Sequence, residues 1–179
     1  MDPFESIVAT YFEEKGYWVR GSVKVIISKE DKRKIGTHSM PRPEIDLVAF
    51  NPENNELLLV EVKSFLDSYG VKYSGITGEN KKDAKRYKLF TNEEFRKIVT
   101  RELKKNYISN GLIKKDTKIK YCLAAGNIYS NDESKIELVF KKKGWLLVKP
   151  DDIKNTIRGL SEKGWEDNAV TITAKLIMK

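Results

Sequence analysis

Two short apolar runs separated by five turn-forming residues constrain the fold more than anything else in this sequence. Glu44–Phe50 (EIDLVAF) and Glu56–Phe65 (ELLLVEVKSF) flank Asn51-Pro52-Glu53-Asn54-Asn55. A Pro/Asn cluster between two β-forming runs specifies a tight chain reversal. Both runs are apolar at consecutive rather than alternate positions, so each strand must be covered on both faces. Such strands belong in the middle of a sheet sandwiched between helices.

The rest of the chain supplies those layers. Phe4, Ile7, Val8, Tyr11 and Phe12 recur at helical spacing, with Asp2 as cap, Pro3 in the first turn and Gly16 at the end. Tyr17–Ser28 reads as a strand and 29–43, which contains His38, as a polar loop. Tyr69–Glu79 reads as a Gly/Tyr-rich loop that directly follows Lys63 and Ser64, mobile beside the candidate site. Helices are expected over about 80–90, 92–108 and 131–143, and from Pro150 to about Lys163. Lys118–Ala125, Trp145–Lys149 and Val170–Met178 are expected to be strands. The order α-β-β-β-α-α-β-α-β-α-β gives an α/β domain with a central mixed sheet flanked by helices. One domain accounts for all 179 residues, with a core over about 1–125 and a C-terminal extension over about 126–179.

Composition removes several kinds of chemistry. The single cysteine, Cys122, leaves no internal disulfide and no multi-cysteine zinc site, and the single histidine, His38, leaves no two-histidine metal site. Cys122 lies in an apolar strand and reads as an inert core residue. The acidic N-terminus lacks an apolar signal-peptide core, and no run is long enough to span a bilayer. A cytoplasmic protein without membrane contact is expected. Chemistry must therefore run on carboxylates, lysines and an oxygen-preferring metal.

With the turn centred between Glu53 and Asn54, antiparallel partners have numbers summing to 107. Val48 then faces Leu59, Asp46 faces Glu61, and Glu44 lies opposite Lys63. Cross-strand partners sit about 4.5–5.5 Å apart at Cβ, and Lys63 shares the face of Glu61. Two carboxylates that close repel unless a cation or a proton lies between them. Their oxygens suit Mg²⁺, which takes one or two carboxylates and keeps several waters; Mn²⁺ is a possible substitute. The metal would activate water and neutralise a phosphate oxygen, with the lysine orienting the nucleophile. A plain Asp46–Lys63 or Glu44–Lys63 ion pair at a hairpin end is the structural alternative.

Asp46, Glu61 and Lys63 resemble the motif of the PD-(D/E)xK nuclease superfamily, whose fold is restriction-endonuclease-like. The proline here is Pro43, three residues before Asp46 rather than adjacent to it. The pairing of Glu5 with the downstream Gly16-Tyr17 also resembles the first helix of archaeal Holliday junction resolvases and Mrr-like restriction enzymes. The resemblance implies a Mg²⁺-dependent DNA endonuclease leaving a 5′-phosphate and a 3′-hydroxyl. It implies Asp46, Glu61, the Val62 carbonyl and Glu5 as metal-site residues, and Lys63 as the residue that positions water. Glu5 also reads as an ordinary first-turn glutamate favoured by the helix dipole. A restriction or defence enzyme is the favoured reading. A Holliday junction resolvase and a non-catalytic nucleic-acid-binding or assembly subunit are the alternatives.

Net charge is +8, yet residues 81–120 alone carry 14 basic and 5 acidic residues. Lys81, Lys82, Lys85, Arg86 and Lys88 are the candidate DNA contacts, with Lys81, Lys85 and Lys88 on one helix face. The same stripe also reads as a solvated helix face, and so does Lys141-Lys142-Lys143. Tyr87 and Phe90 are expected to pack inward. The alternating tail Val170–Met178 needs a strand partner, either its own sheet edge or a second copy in a homodimer.

Overall fold

The computed structural model describes residues 2–36 and 42–178; His38 lies outside them. Fourteen elements follow in order: α1 (Pro3–Glu13), β1 (Trp18–Lys24), α2 (Lys29–Lys34), β2 (Glu44–Asn51), β3 (Glu56–Lys63), α3 (Tyr73–Thr77), α4 (Lys81–Ala84), α5 (Lys88–Thr91), α6 (Glu93–Ser109), β4 (Lys118–Ala125), α7 (Glu133–Lys143), β5 (Leu146–Val148), α8 (Pro150–Glu162) and α9 (Ala169–Met178). The strands form one mixed sheet in the order β1-β2-β3-β4-β5. β1, β2 and β3 are antiparallel neighbours, whereas β4 and β5 run parallel to β3. The architecture is α/β, with a five-stranded mixed sheet flanked by helices.

Each face of the sheet has its own core. On one, Ile98, Val99 and Leu103 of α6 and Ile136 and Phe140 of α7 cluster with Leu57, Leu59 and Leu123. On the other, Val8 and Phe12 of α1 and Ile153 of α8 cover Leu47, Leu58, Val60, Cys122 and Ala124. The unbroken apolar run of β3 is thus explained: odd positions feed one core and even positions the other. The hairpin register follows the expected sum, from Asn51↔Glu56 to Leu47↔Val60, and Asn55 closes the turn at φ 48°, a left-handed conformation that asparagine tolerates.

Four local expectations are corrected. The polar stretch after Ser28 contains α2, because the Ser28 hydroxyl accepts the Asp31 N–H as an N-cap and buried Asp31 accepts a hydrogen bond from Arg101. The Gly/Tyr-rich stretch contains α3. The basic helix is not continuous: α4 and α5 are separate turns, and Thr91 Oγ1 donates to the carbonyl oxygen of Ala84, the last residue of α4. The tail is helix α9, not a strand. Asn168 accepts the Val170 N–H at its start, and Thr171 and Ala174, three residues apart, face inward. Packing on α8 and α1 overrides the β propensity of Val, Thr and Ile. The strand-edge argument for a homodimer loses its basis.

One irregularity organises the site. In β2, Leu47 and Ala49 face the α1 side, yet Ile45 belongs to the α6 side. In β1, Val19 packs toward the α1 side, whereas Val23, and Val25 just past the strand, belong to the α6 side. Inside–outside alternation therefore reverses in both strands at the same level. The ladder pairs Gly21 with Leu47 and Val23 with Ile45 but skips Ser22 and Asp46. Ser22 has φ 52°, a conformation that costs an L residue about 1–2 kcal/mol.

Replacing Ser22 with a β-branched residue should intensify that strain. Ser22→Val is expected to lower the unfolding free energy by about 1–3 kcal/mol, and Ser22→Gly to leave it unchanged or raise it. Urea denaturation of both variants measures this; equal effects would show that the left-handed turn carries no strain.

Candidate active site

The reversal decides where Asp46 points. The β2–β3 ladder stops at Leu47↔Val60, and beyond it the Asp46 carboxylate takes a backbone donor: Val62 N–H donates to Asp46 Oδ2 at 2.7 Å. The side chain lies along the open end of the strand pair. Lys63 Nζ stands 2.6 Å from Glu61 Oε1 and 3.7 Å from Asp46 Oδ2, all three side chains being only 18–24% exposed. The three residues named from sequence are therefore together. Glu44 is not opposite Lys63; it pairs with Lys24 on β1.

The electrostatics follow from crowding. Burial raises the Glu61 pKa above the ordinary carboxylate value, the Asp46 charge adds to the rise, and Lys63 opposes both. Burial works against the Lys63 ammonium, but the Glu61 and Asp46 carboxylates outweigh it and its pKa is raised. Lys63 is the cation that allows two carboxylates to share this point.

Glu5 approaches from the α1 side. Its carboxylate accepts the Asp2 N–H at 3.1 Å while Asp2 accepts the Glu5 N–H at 2.8 Å, so it forms a capping box at the start of α1. Its pKa is raised, chiefly by burial and further by the Asp2 and Asp46 charges. Glu5 caps the helix, as the first-turn reading has it, and its charge interacts with that of Asp46. Among the described residues no group of three or more His, Cys, Asp and Glu side chains could hold a metal ion. The carboxylates that meet are the Asp46–Glu61 pair, with Glu5 an electrostatic neighbour. Two carboxylates at one half-buried point, sharing a single ammonium, are oxygen donors of the kind a small divalent cation takes.

Gly126 was not singled out from sequence. It donates its N–H to the Lys63 carbonyl at 2.8 Å. A Cβ there would collide with the Ser64 carbonyl oxygen and come within 2.8 Å of the Phe4 ring. The small-residue run Ala124-Ala125-Gly126 at the end of β4 was its signal.

Glu61 opens into a cleft lined also by Arg42, Glu44, Lys85, Arg86 and Lys88, and the Lys88 charge acts on Glu61. Lys81, Lys85 and Lys88 line an adjoining open groove. They share this surface although the helix expected to align them is broken, and Lys82 is exposed beside them. The rest of the basic segment is largely committed elsewhere. Arg96 donates to the Leu89 and Phe90 carbonyls, Arg101 binds Asp31 and Glu102, and Lys97 and Lys120 pair with Glu93 and Glu56. Tyr87, Phe90 and Cys122 are buried, and burial pushes the Cys122 thiol pKa up. Lys141, Lys142 and Lys143 are exposed at the end of α7.

The stretch after Lys63, expected to be a mobile loop, is tied down. Val71 N–H donates to Asn127 O, Tyr129 N–H to Val71 O, and Tyr73 N–H to Asp132 Oδ2. No protein-family profile matches the sequence, and neither curated proteins nor solved structures give a match. Among the described residues no helix is long and apolar enough to cross a membrane.

In the metal-free protein, the Glu61 side-chain carboxyl should titrate above its ordinary value of 4.5. Lys63→Met should move it further up, because the ammonium is the group opposing burial. Between 4.5 and the raised value the folded state binds more protons than the unfolded, so the Glu61 contribution to stability declines as pH rises through that window. Carboxyl ¹³C chemical shifts measure the titration; a downward move in Lys63→Met would contradict the assignment.

Proposed function

We propose that this chain is a Mg²⁺-dependent DNA endonuclease, of restriction or defence type. The observation that carries the reading is the convergence of Asp46, Glu61 and Lys63 at one half-buried point, from which Glu61 lines a cleft shared with Arg42, Glu44, Lys85, Arg86 and Lys88. A hairpin end held by an ordinary ion pair has no need of a second carboxylate that repels the first. The mixed sheet flanked by helices is consistent with the fold that the PD-(D/E)xK resemblance implies.

Asp46 and Glu61, with the Val62 carbonyl, would hold Mg²⁺, or Mn²⁺ in its place. When bound, the ion supplies an activated water and neutralises charge on the scissile phosphate. The chain's own residues do the rest. The Val62 N–H orients the Asp46 carboxylate. Lys63, whose raised pKa keeps it protonated at neutral pH, donates to the phosphate oxygen on which negative charge builds, or to the attacking water. Lys85, Arg86 and Lys88 hold the phosphates flanking the cut, and Glu5 adds negative potential on the α1 side of Asp46.

Asp46→Ala and Glu61→Ala are expected to lower the cleavage of supercoiled plasmid about 10²-fold or more while DNA binding survives. EDTA should abolish cleavage by the wild type, and Lys63→Ala should cost about 10²–10³-fold in rate. Full activity in EDTA or in either carboxylate variant would refute the proposal.

Replacing Lys81, Lys85 and Lys88 together by Ala should flatten the plot of log affinity against log salt by about 0.9 for each phosphate no longer neutralised. Replacing Lys97 and Lys120, which are already paired, should change the slope much less. Equal slopes for all three proteins would move the DNA path elsewhere.

A further inference from the structure

The ends of β3 and β4 carry a second exposed feature beside the carboxylate site. Lys63 and Ser64 are followed by Phe65, a non-glycine residue at φ 45°, and then by a stretch that leaves Leu66 64% and Tyr69 78% exposed. Tyr129, on the connection after β4, is 36% exposed. Lys72 Nζ lies 5.3 Å from the Tyr69 ring centroid and 5.5 Å from that of Tyr129. The Arg86 guanidinium lies 6.0 Å from the Phe65 ring. Two tyrosines thus flank one ammonium, and a second cation from the basic cleft adjoins them.

The backbone beneath these rings is fixed. Asn127 Nδ2 donates to the Ser68 carbonyl at 2.8 Å, and Val71 and Ile128 form a parallel bridge. Gly70, at φ 85°, lies so close to the Asn127 main chain that a Cβ would come within 2.8 Å of it. The stretch is seated against the β4–α7 connection, and Tyr69 is held outward on it. Gly126, which donates to the Lys63 carbonyl, joins that connection to the catalytic strand. Tyr69 therefore stands at the same end of the sheet as Lys63.

We propose that Tyr69 and Tyr129, with Lys72, form a stacking platform for an unpaired nucleotide of the DNA held at the Asp46–Glu61–Lys63 site. The inference rests on the endonuclease reading and names the substrate class further: DNA with a single-stranded segment beside the cut. Bases in an intact duplex are already stacked on one another, so an exposed tyrosine face accepts only a base that has left the stack. Base–aromatic stacking is tolerant of sequence and works together with cations that follow the backbone; Lys72 and Arg86 are placed for that. Of the neighbouring carboxylates, Asp83 is engaged by Asn80 and Asp132 by Tyr73 and Lys135, and exposed Asp67 on the same stretch sets one negative charge against Lys72 and Arg86. The net positive patch favours a polyanion over an acidic or neutral peptide.

The test is binding of the full chain to labelled DNA of one sequence in three forms: blunt duplex, duplex with a single-stranded extension, and single strand. Fluorescence anisotropy in EDTA reads affinity without cleavage. The wild type is expected to favour the extended duplex over the blunt one by on the order of tenfold. Tyr69→Ala and Tyr129→Ala should erase that preference while leaving blunt-duplex affinity unchanged, and Tyr69→Phe should retain it. Circular dichroism confirms that the exposed-residue variants fold. Equal wild-type affinity for blunt and extended duplexes would overturn the platform and leave the endonuclease reading intact. So would a Tyr69→Ala protein that keeps the preference, or one that loses affinity for all three forms alike. Absence of salt-dependent binding to any form would overturn both.

Discussion

The reversal of side-chain alternation at Ser22 and Asp46 is the constraint on which the site depends. Were β1 and β2 regular throughout, Asp46 would follow Val48 onto the α6 side of the sheet and its backbone would pair with Ser22. Instead Ser22 adopts φ 52°, the ladder skips that level, and Ile45 turns to the side opposite Leu47. The Asp46 side chain then takes the Val62 N–H. A position in line with the sheet, rather than on one face of it, lets Asp46 feel Glu5 from the α1 layer while meeting Glu61 and Lys63 on the other side. The local strain is offset by two cores that hold the strands on either side of it.

The second dependency is electrostatic. Half-burial makes a pair of carboxylates costly, and Lys63 compensates both while sharing one strand with Glu61. Removing Lys63 would leave two carboxylates facing each other with no cation between them. Positive charge at the mouth of the cleft comes instead from Arg42, Lys85, Arg86 and Lys88, which line it with Glu61. Along the basic segment, tertiary contacts divide the charges. Those on α6 and β4 largely serve the fold by bonding carbonyls and carboxylates, whereas those of α4 and α5 line the cleft and its adjoining groove.

Much of the fold was legible because its signals are local. The Asn-Pro-Glu-Asn-Asn turn set the hairpin register, and the doubly apolar β2 and β3 required layers on both faces. The cap Asp2 and the first-turn prolines Pro3 and Pro150 marked helix starts. What was misread is equally specific. The tail Val170–Met178 has the composition of a strand, but Thr171 and Ala174 find their partners at helical spacing against α8 and α1. The basic helix over 80–90 breaks because Tyr87, Leu89 and Phe90 must be buried together while Lys81, Lys82, Lys85 and Arg86 remain exposed. Gly126 was overlooked because the demand on it comes from Ser64 and Phe4, both far away in sequence.

The sequence by itself singled out the residues of the candidate site. Alternation and turn geometry put Asp46, Glu61 and Lys63 at one end of one hairpin, and residue counts removed the histidine and cysteine alternatives. Only the tertiary structure decided how they meet. That Asp46 accepts a backbone N–H, that Lys63 lies between two carboxylates, and that Glu5 stands near Asp46 without joining a ligand cluster all depend on the displaced strand level at Ser22. The free basic surface likewise depends on which lysines the helices bring to partners. The physical reason is range. Register and periodicity act between neighbours along a strand or helix, whereas burial, charge compensation and steric room act between segments that meet only when the two cores close over the sheet.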